Sequence, residues 1–400
     1  MAPAPAPLAV YDQPHQFEPL LPQKGLDALA LRSREVVEKS FRLQGAAHPS
    51  TRQALAELVR SMNSYYSNLI EGQSTHPRNI DRALAQDFSD RPETARKQRI
   101  AVAHIVAERE LEAGGIGEEH VLTRGYLCRA HEAFFRQLEP GDRMVEERVV
   151  TPGALRQEDV RVFRHQPPTW TSIPRFLERA DQVYGKRWGL DTLLVAIGSA
   201  HHRMAWIHPF LDGNGRACRL QTHMALLPLS AGMWSVNRGF ARERGRYYEH
   251  LSNADMSRQG DLDGRGNLSE KMLHEWCEFF IETCNDQVTF MGRMLDLEGL
   301  KSRVAGLIAV RSKERGKSYR EEAVLPMQHV LAAGPVSRGD FNRMLGLGER
   351  TGRTVMAQLL KDGLLVSETP KGDVRIGLPL DALNILLPNL YPEASTQAVD

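Results

Sequence analysis

The chain has 400 residues, with 51 Lys or Arg against 50 Asp or Glu, so its formal net charge is +1. A nearly neutral chain has no overall field that would favour nucleic acid or a membrane surface. Its hydrophobic content of 42% suffices for two or three packed domains, and no apolar run approaches the ~20 residues needed to cross a bilayer. The four cysteines lack CxxC spacing, which predicts reduced thiols and a cytoplasmic protein without a membrane partner.

Composition divides the chain into five parts. A Pro-rich start, without the basic end and long apolar stretch of a signal peptide, predicts a disordered tail over residues 1–22. Helical patterning then predicts a mainly α protein, with an N-terminal helical region over 23–100 and a helical core over 101–290. A helix or linker over 291–323 leads to a separate domain over 324–400.

A helix end near residue 70 brings two polar side chains onto one face. Apolar residues recur at helical spacing from Val59 to Leu69, and Gly72 is a natural C-terminal stop. Ser67 and Glu71 are four residues apart, so both lie on the same face of the predicted helix. Taken alone, such a pattern is usual for a helix end with a solvated glutamate.

A short hairpin is predicted about 40 residues before the most informative motif. Val160 and Val162 alternate with polar residues in the segment Val160–Arg164, which has turn residues on both sides. The exposed edge of such a hairpin can hold a peptide by strand addition. A plain surface hairpin fits the same sequence.

The most informative segment runs from His208 to Arg219. Apolar residues at helical spacing from Leu193 to Ile207 predict a helix that stops at His208, because the residue before a proline is pushed out of the α region. The glycines that follow predict a tight turn, and a second helix is predicted to begin at about Gly215. The motif is therefore a loop between two helices.

The residues at the start of this second helix suit the phosphates of a nucleotide. Gly213, Asn214 and Gly215 place unpaired backbone N–H groups at a helix start, where the macrodipole favours an anion. Arg216 and Arg219 project from the first turns and can form bidentate bonds to phosphate or to carboxylate.

Two more side chains of the loop carry chemistry. Asp212 is a carboxylate beside the predicted phosphate site, which predicts a bridging cation such as Mg²⁺. His208, with an ordinary pKa of ~6.5, can accept a proton from an attacking hydroxyl at neutral pH. A metal cluster that adds His201 or His202 is the alternative, but helical neighbours point in different directions, so at most one of them could join His208.

The segment His208–Arg219 resembles the signature of the Fic family, H-x-F-x-[D/E]-G-N-G-R-x-x-R, with every fixed position present. The resemblance implies a Fic-type helical core and a nucleotidyl transferase that moves AMP from ATP, with Mg²⁺, to a protein hydroxyl and releases pyrophosphate. It implies that His208 is the general base and Asp212 the Mg²⁺ ligand. The nucleotide-binding residues that it implies are Gly213, Asn214, Gly215, Arg216 and Arg219.

The same resemblance gives roles to three other segments. The segment from Ser67 to Gly72 fits the family's inhibitory pattern [S/T]-x-x-x-E-[G/N], in which Glu71 is implied to pair with Arg219 and to keep ATP from binding productively. The hairpin near residue 160 resembles the family's flap, which holds the target segment. A later segment resembles one that lines the adenine pocket, with Tyr247 and Tyr248 as candidates, although paired aromatics on a helix are more often part of a core.

The C-terminal domain has a pattern of three helices and a hairpin. Helices are predicted over Val324–Ala333, after Ser337 and after Gly348, and two strands flank a turn at 370–373. This order resembles a winged helix, an α+β fold whose third helix can read DNA. Seven basic against five acidic side chains between residues 337 and 375 leave little charge for phosphates. A docking or dimerisation role, which includes a homodimer, is therefore favoured over DNA binding.

The sequence supports two functions of different classes. The first is an autoinhibited protein adenylyltransferase that modifies a Ser, Thr or Tyr hydroxyl of a target protein and of itself. In this reading the inhibitory glutamate could instead position water and remove AMP. The second is a regulator whose winged helix binds DNA and whose Fic domain senses nucleotide.

Overall fold

The computed structural model describes residues 10–115, 120–162 and 165–395, most of which are helical. None of the described helices combines the length and the apolar composition that a membrane crossing needs. The helices before residue 295 are α1 (Leu26–Ala46), α2 (Pro49–Ile70), α3 (Pro77–Leu84), α4 (Pro92–Ala113), α5 (Arg124–Phe135), α6 (Ile173–Tyr184), α7 (Leu193–Ile207), α8 (Asn214–Ser230), α9 (Val236–Arg242), α10 (Arg244–Asn253) and α11 (Glu270–Met294). The later helices are α12 (Leu297–Arg315), α13 (Val324–Ala333), α14 (Arg338–Leu345), α15 (Glu349–Lys361) and α16 (Leu380–Leu386).

Two short antiparallel hairpins supply the named strands of the described ranges. Strand β1 (Met144–Val145) pairs with β2 (Arg148–Val149), and β3 (Leu365–Val366) pairs with β4 (Arg375–Ile376). The predominance of helices confirms the mainly α fold class.

Helix α7 lies at the centre of the core because its sequence is apolar on almost every side. All its residues except Leu193 and Ala205 are buried, and it packs on α6, α8 and α11. The helix ends at Ile207 with His208 as its C-terminal cap, and α8 begins at Asn214. The prediction of a loop between two helices is therefore confirmed.

The N-terminal segment packs on the core, so the predicted disordered tail over 1–22 is wrong for residues 10–22. Phe17 and Leu20 are buried. The buried guanidinium of Arg203 in α7 donates from Nε and Nη2 to the Pro19 carbonyl, at 3.0 and 2.8 Å. A buried charge is costly without acceptors, and this segment supplies one. Residues 1–9 lie outside the described ranges.

Helix α2, which carries Ser67 in its last turn, is enclosed by other elements. It packs on α4, α8 and α9 and on strand β4. It ends at Ile70, Glu71 is its C-terminal cap and Gly72 follows, as the sequence predicts for this helix end. The backbone at Glu71 is thus fixed by the end of a largely buried helix.

The C-terminal elements follow the order expected from the sequence. Ser337 caps α14 by accepting a hydrogen bond from the Asp340 N–H, and Gly348 precedes α15. Val336 forms a bridge with Val374 beside the hairpin of β3 and β4. Helix α16 was not predicted, and it packs on α12, which also packs on α13. The winged-helix assignment and the domain boundaries stay predictions.

The last described residues are fastened to the core by Arg238 of α9. Its guanidinium donates to the carbonyls of Asn389 and Leu390, at 2.5 and 3.0 Å. Nearby, the Tyr66 hydroxyl of α2 donates to the Glu393 carboxylate at 2.8 Å. The segment after α16 therefore rests on both α9 and α2.

We expect Arg238→Met to lower the free energy of unfolding by about 1–3 kcal/mol, because the Leu390 carbonyl would lose its donor in buried surroundings. Urea denaturation followed by circular dichroism measures the change. Arg242→Met is the matched control, since Arg242 is exposed in the same helix, and it should shift the value by no more than about 0.5 kcal/mol. Equal effects of the two substitutions would contradict the anchoring role.

Candidate active site

His208 leaves α7 in the left-handed conformation, with φ 49° and ψ 60°. This conformation turns the chain out of the helix just before Pro209. Burial of the ring, together with His165 and Arg156 nearby, lowers the pKa of His208 to about 4. The imidazole is therefore neutral at neutral pH, which is the state that a proton acceptor needs.

Arg156, which the sequence reasoning missed, ties the loop of His208 to the segment of the predicted flap. Its Nε donates to the His208 carbonyl at 2.9 Å and its Nη2 to the Pro168 carbonyl at 2.5 Å. Its backbone N–H donates to the Pro209 carbonyl at 2.9 Å. Burial lowers the pKa of Arg156 to about 10, so the guanidinium is still charged at neutral pH. One side chain thus fixes both segments.

Two residues of the predicted flap, Phe163 and Arg164, lie outside the described residues. On either side of them, Val162 and His165 form an antiparallel bridge with N···O distances of 3.1 and 2.8 Å. His165 Nε2 lies 2.7 Å from the Trp206 carbonyl in α7. Residues 156–162 form no named strand, so strand addition of a target at this edge stays a prediction.

The side chain of Asn214 closes the loop on itself. Its Oδ1 accepts from the Phe210 N–H at 2.8 Å, and its Nδ2 donates to the Phe210 carbonyl at 2.9 Å. With the amide occupied in this way, the contribution of Asn214 to an anion site is its backbone N–H. Phe210 is fully buried, which anchors the loop in the core.

His131 of α5 supports the loop from behind. Its ring stacks on Phe210, with centroids 3.9 Å apart and an interplanar angle of 16°. The Gly153 N–H donates to Nδ1 at 2.9 Å, so in the neutral ring Nε2 carries the proton and donates to the Asp212 carbonyl at 3.0 Å. Burial lowers the pKa of His131 to about 4. No sequence signal marks this residue, because its hydrogen-bond partners are backbone groups distant in the chain.

Two glycines allow close approach at the start of α8. Gly213 has a left-handed φ of 77°, and a Cβ there would collide with the ring of Phe135. A Cβ on Gly215 would collide with the Glu71 carboxylate and would lie 2.9 Å from Arg219 Nη1. This crowded point lies at the start of α8, and a helix start favours an anion.

Asp212 and Arg216 form an ion pair beside this helix start. Arg216 Nη2 donates to the Asp212 carboxylate at 3.0 Å, and Nη1 donates to the Gln73 amide oxygen at 2.8 Å. The guanidinium lies over the ring of Phe134, 4.9 Å from its centroid. The Asp212 side chain is 40% exposed, and a carboxylate that is open to solvent beside an anion site suits a hard cation. Asp212 therefore fits the Mg²⁺ role predicted for it.

Glu71 and Arg219 are in direct contact. Arg219 Nη2 donates to Glu71 Oε1 at 2.5 Å, while Nε donates to the Ser67 hydroxyl oxygen at 3.0 Å and Nη2 to the Ser67 carbonyl at 3.2 Å. Arg219 is 1% exposed. The end of α2 thus occupies Nε and Nη2 of the last arginine in the motif.

Both members of this pair are held in their charged forms. Burial opposes the charge of Arg219, but the Glu71 carboxylate and the Tyr247 hydroxyl raise the pKa of Arg219 above its ordinary value. Burial likewise opposes the charge of Glu71, yet Arg219 and Arg216 lower the pKa of Glu71 below its ordinary value. The contact is therefore a true ion pair at neutral pH.

The two candidate tyrosines have different environments. Tyr247 is buried, with its hydroxyl 3.0 Å from His201 Nε2 and in hydrogen-bond contact with Arg219. Tyr248 is exposed, and its hydroxyl donates to the Ile70 carbonyl at the end of α2, at 3.0 Å. Tyr247 is thus a core residue behind Arg219, and Tyr248 alone borders an open surface.

Within the described ranges, neither His201 nor His202 joins His208 in a metal cluster. His201 Nδ1 lies 2.7 Å from the Thr222 hydroxyl, whereas His202 Nε2 lies 3.0 Å from the Asp255 carboxylate. Burial lowers the pKa of both rings. The two histidines are therefore used in separate core contacts.

Comparison with known proteins identifies the domain that contains this site. The profile of the Fic/DOC family matches residues 121–226. The chain is 34% identical over 116 residues to the protein adenylyltransferase Fic of Nematostella vectensis, and 26% identical over 111 residues to the protein of the same name from Drosophila willistoni. Each match covers 28% of this chain, and the chain spans only 25% and 21% of the length of those two relatives.

One solved structure extends the likeness to most of the chain. A Fic family protein from Desulfovibrio desulfuricans G20 matches with a TM-score of 0.51 and 18% identity, covering 90% of this chain and 99% of that one. At 18% identity, this match shows similarity of the fold alone. It reaches well beyond residues 121–226 on both sides.

We expect the His131 ring to stay neutral, with its proton on Nε2, from neutral pH down to about pH 4. Because the folded pKa is depressed, the stability that the neutral ring contributes is fully present above its unfolded pKa of ~6.5 and is lost as the pH falls toward 4. Nitrogen chemical shifts of labelled histidine, assigned with a His131→Phe variant, report the tautomer and the titration. Uptake of a proton near pH 6.5 would show that the ring is not held as described.

Proposed function

We propose that this chain, a member of the Fic/DOC family through its domain over residues 121–226, is an autoinhibited protein adenylyltransferase. It transfers AMP from ATP to a Ser, Thr or Tyr hydroxyl of a target protein, and of itself, and releases pyrophosphate. The observation that carries the proposal is the shared location of a neutral His208, a helix start that favours an anion and the buried guanidinium of Arg219. The names of the two curated relatives support the same reaction.

In this mechanism His208 is the general base. Its neutral ring takes the proton of the target hydroxyl as that oxygen attacks the α-phosphorus of ATP, and the bond from this phosphorus to the pyrophosphate oxygen breaks. The N–H groups at the start of α8, with Arg216 and Arg219, hold the phosphate chain where negative charge gathers. Asp212 is the ligand for Mg²⁺, whose chemistry when bound is to neutralise phosphate charge.

Glu71 inhibits this reaction by occupying Arg219. A guanidinium forms the same paired hydrogen bonds with a carboxylate as with a phosphate, so Glu71 competes with ATP for these donors. The close approach of Glu71 to Gly215 supports this role, because it places the carboxylate at the helix start that receives the phosphates. Removal of AMP by a water that Glu71 positions is the second reading of the same contact.

The partner is a protein with an accessible hydroxyl side chain, held against the segment that ends at Val162. Of the two candidate tyrosines, we propose only Tyr248 for contact with adenine, because Tyr247 is buried. The cytoplasmic location is proposed from the cysteine spacing of the sequence.

We expect Glu71→Gly to raise self-labelling from α-labelled ATP by about 10- to 100-fold, because a charge-assisted hydrogen bond of ~1.5–3 kcal/mol no longer holds Arg219. Intact mass of the variant after incubation with Mg·ATP measures the product, since AMP and a phosphoryl group add different masses. Glu110→Gln is the control and should behave as the unaltered protein, because Glu110 is a partly exposed glutamate of α4 outside the proposed site. A silent Glu71→Gly protein beside an active unaltered one would refute the inhibitory role.

His208→Ala, introduced into the Glu71→Gly protein, should lower the transfer rate about 10²- to 10⁴-fold through loss of the general base. The same intact-mass measurement over time gives the rate, and circular dichroism checks that the double variant is folded. Undiminished transfer without His208 would refute its role as the base.

DNA binding by the C-terminal elements is a second candidate function. Arg350, Arg353 and Lys361 are exposed on α15, and Lys371 is exposed at the tip of the hairpin. The ion pair of Arg353 with Glu349 reduces the charge available for phosphates, so we favour docking to a protein. DNA binding requires an affinity for duplex DNA that falls steeply with salt and is reduced by Arg350→Ala, which fluorescence anisotropy measures.

A further inference from the structure

A group of ionisable side chains outside the active site lies buried between α4 and α8. Glu108 and Glu112 are one turn apart on α4, and His223 comes from α8. Glu108 and His223 are buried, and the Glu112 side chain is 20% exposed. The chemistry proposed above uses none of the three.

The spacing of these side chains matches that of metal ligands. His223 Nε2 lies 3.3 Å from Glu108 Oε1 and 3.7 Å from Glu112 Oε1, and one ligand atom from each residue lies within 4.8 Å of the other two. Bonds of ~2.0–2.1 Å from zinc to nitrogen and oxygen, in tetrahedral geometry, place neighbouring ligand atoms about 3.3 Å apart. We propose that Glu108, Glu112 and His223 bind one divalent transition-metal ion of the zinc class.

A fourth side chain supports the assignment independently. His104, one turn before Glu108 on α4, is fully buried, and neither of its ring nitrogens has a hydrogen-bond partner. Its Nδ1 lies 3.8 Å from Glu108 Oε2. Buried polar atoms without partners are rare in folded proteins. A metal ion bound at Glu108 would give His104 a partner, while the closely spaced ligand atoms are those of Glu108, Glu112 and His223.

Arg60 and Asn63 donate hydrogen bonds to the proposed ligands, as residues around a bound metal ion commonly do. Arg60 donates from Nη2 to Glu112 Oε2, which leaves Glu112 Oε1 turned toward His223. Asn63 Nδ2 donates to the Glu108 carboxylate at 3.1 Å. Hydrogen bonds of this kind orient carboxylate ligands.

The two carboxylates of α4 share one guanidinium. Arg60 pairs with Glu112 and also with Glu57 at 2.7 Å, and Glu57 is itself shared with Arg109 at 3.1 Å. Because Arg60 alone does not offset both Glu108 and Glu112, a divalent ion beside them would meet negative charge. A protonated His223 between the two carboxylates is the competing arrangement, and it leaves His104 without a partner.

The position of the site indicates a structural role. His223 lies one turn after Arg219 on α8, and Asn63 lies one turn before Ser67 on α2. The ion joins α4 to α8 directly and contacts α2 through Asn63 and Arg60. A buried ion between two helices, apart from the reacting groups, is suited to a structural rather than a catalytic role.

The test uses the full chain without a polyhistidine tag. We expect metal analysis of the purified protein to find about one zinc per chain. After removal of metal by a chelator, added Zn²⁺ should rebind and raise the midpoint of thermal unfolding. Co²⁺ added in its place should give the visible absorption of a four-coordinate site.

Variants separate this site from adventitious binding. Glu108→Gln and His223→Gln should each remove the Zn²⁺-dependent rise in the unfolding midpoint, while Glu110→Gln on the same helix should keep it. Absence of zinc in the purified protein together with no Zn²⁺ effect on the stripped protein would overturn the proposal. An effect that persists in both ligand variants would overturn it as well. Neither result depends on transferase activity, so failure here is distinguishable from failure of the proposed function.

Discussion

The buried guanidinium of Arg219 is the group around which the site is arranged. Desolvating such a charge costs on the order of several kcal/mol unless good partners compensate, and Arg219 is 1% exposed. Ser67 and Glu71 at the end of α2 provide those partners. Because this one charge needs several acceptors, Glu71 packs closely against Gly215 and the Tyr247 hydroxyl points toward Arg219.

Helix α8 shows how a polar face becomes part of a core. The sequence places Arg216, Arg219 and His223 on one face, where charged residues are normally solvated. In the structure all three are buried, and each faces a carboxylate from a different element: Asp212 in the loop, Glu71 at the end of α2 and the glutamates of α4. Periodicity predicted which residues share a face, but it could not predict which elements would cover that face.

Local signals predicted local structure well. The His208–Pro209 step marked the end of α7, and Ser337 and Gly348 marked the starts of α14 and α15. Each of these signals acts on its own backbone or on the next turn, so a single sequence is enough to recognise it.

Contacts between distant residues were not predictable in this way. The Pro-rich start was expected to be disordered because its own composition provides little to bury, yet Arg203 of α7 takes the Pro19 carbonyl as an acceptor. His131 and Arg156 were missed for the same reason, since both act through backbone carbonyls and amides rather than through a motif. The pairing of Glu71 with Arg219 is also distant in sequence, and only the resemblance to a known family brought it into view.

The packing of α2 limits how an inhibitory Glu71 can be released. The C-terminal elements rest on this helix, through Thr51 to the Leu331 carbonyl and through Tyr66 to Glu393. Moving α2 would break these contacts and expose large buried side chains, at about 1.5–3 kcal/mol for each. Glu71 itself is the C-terminal cap, with its side chain 31% exposed, so rotation of this one side chain is the less costly route. Rotation leaves Arg219 buried without its carboxylate, and only another anion can replace it. The phosphate that competes with Glu71 therefore also compensates the buried charge of Arg219 once Glu71 has rotated away.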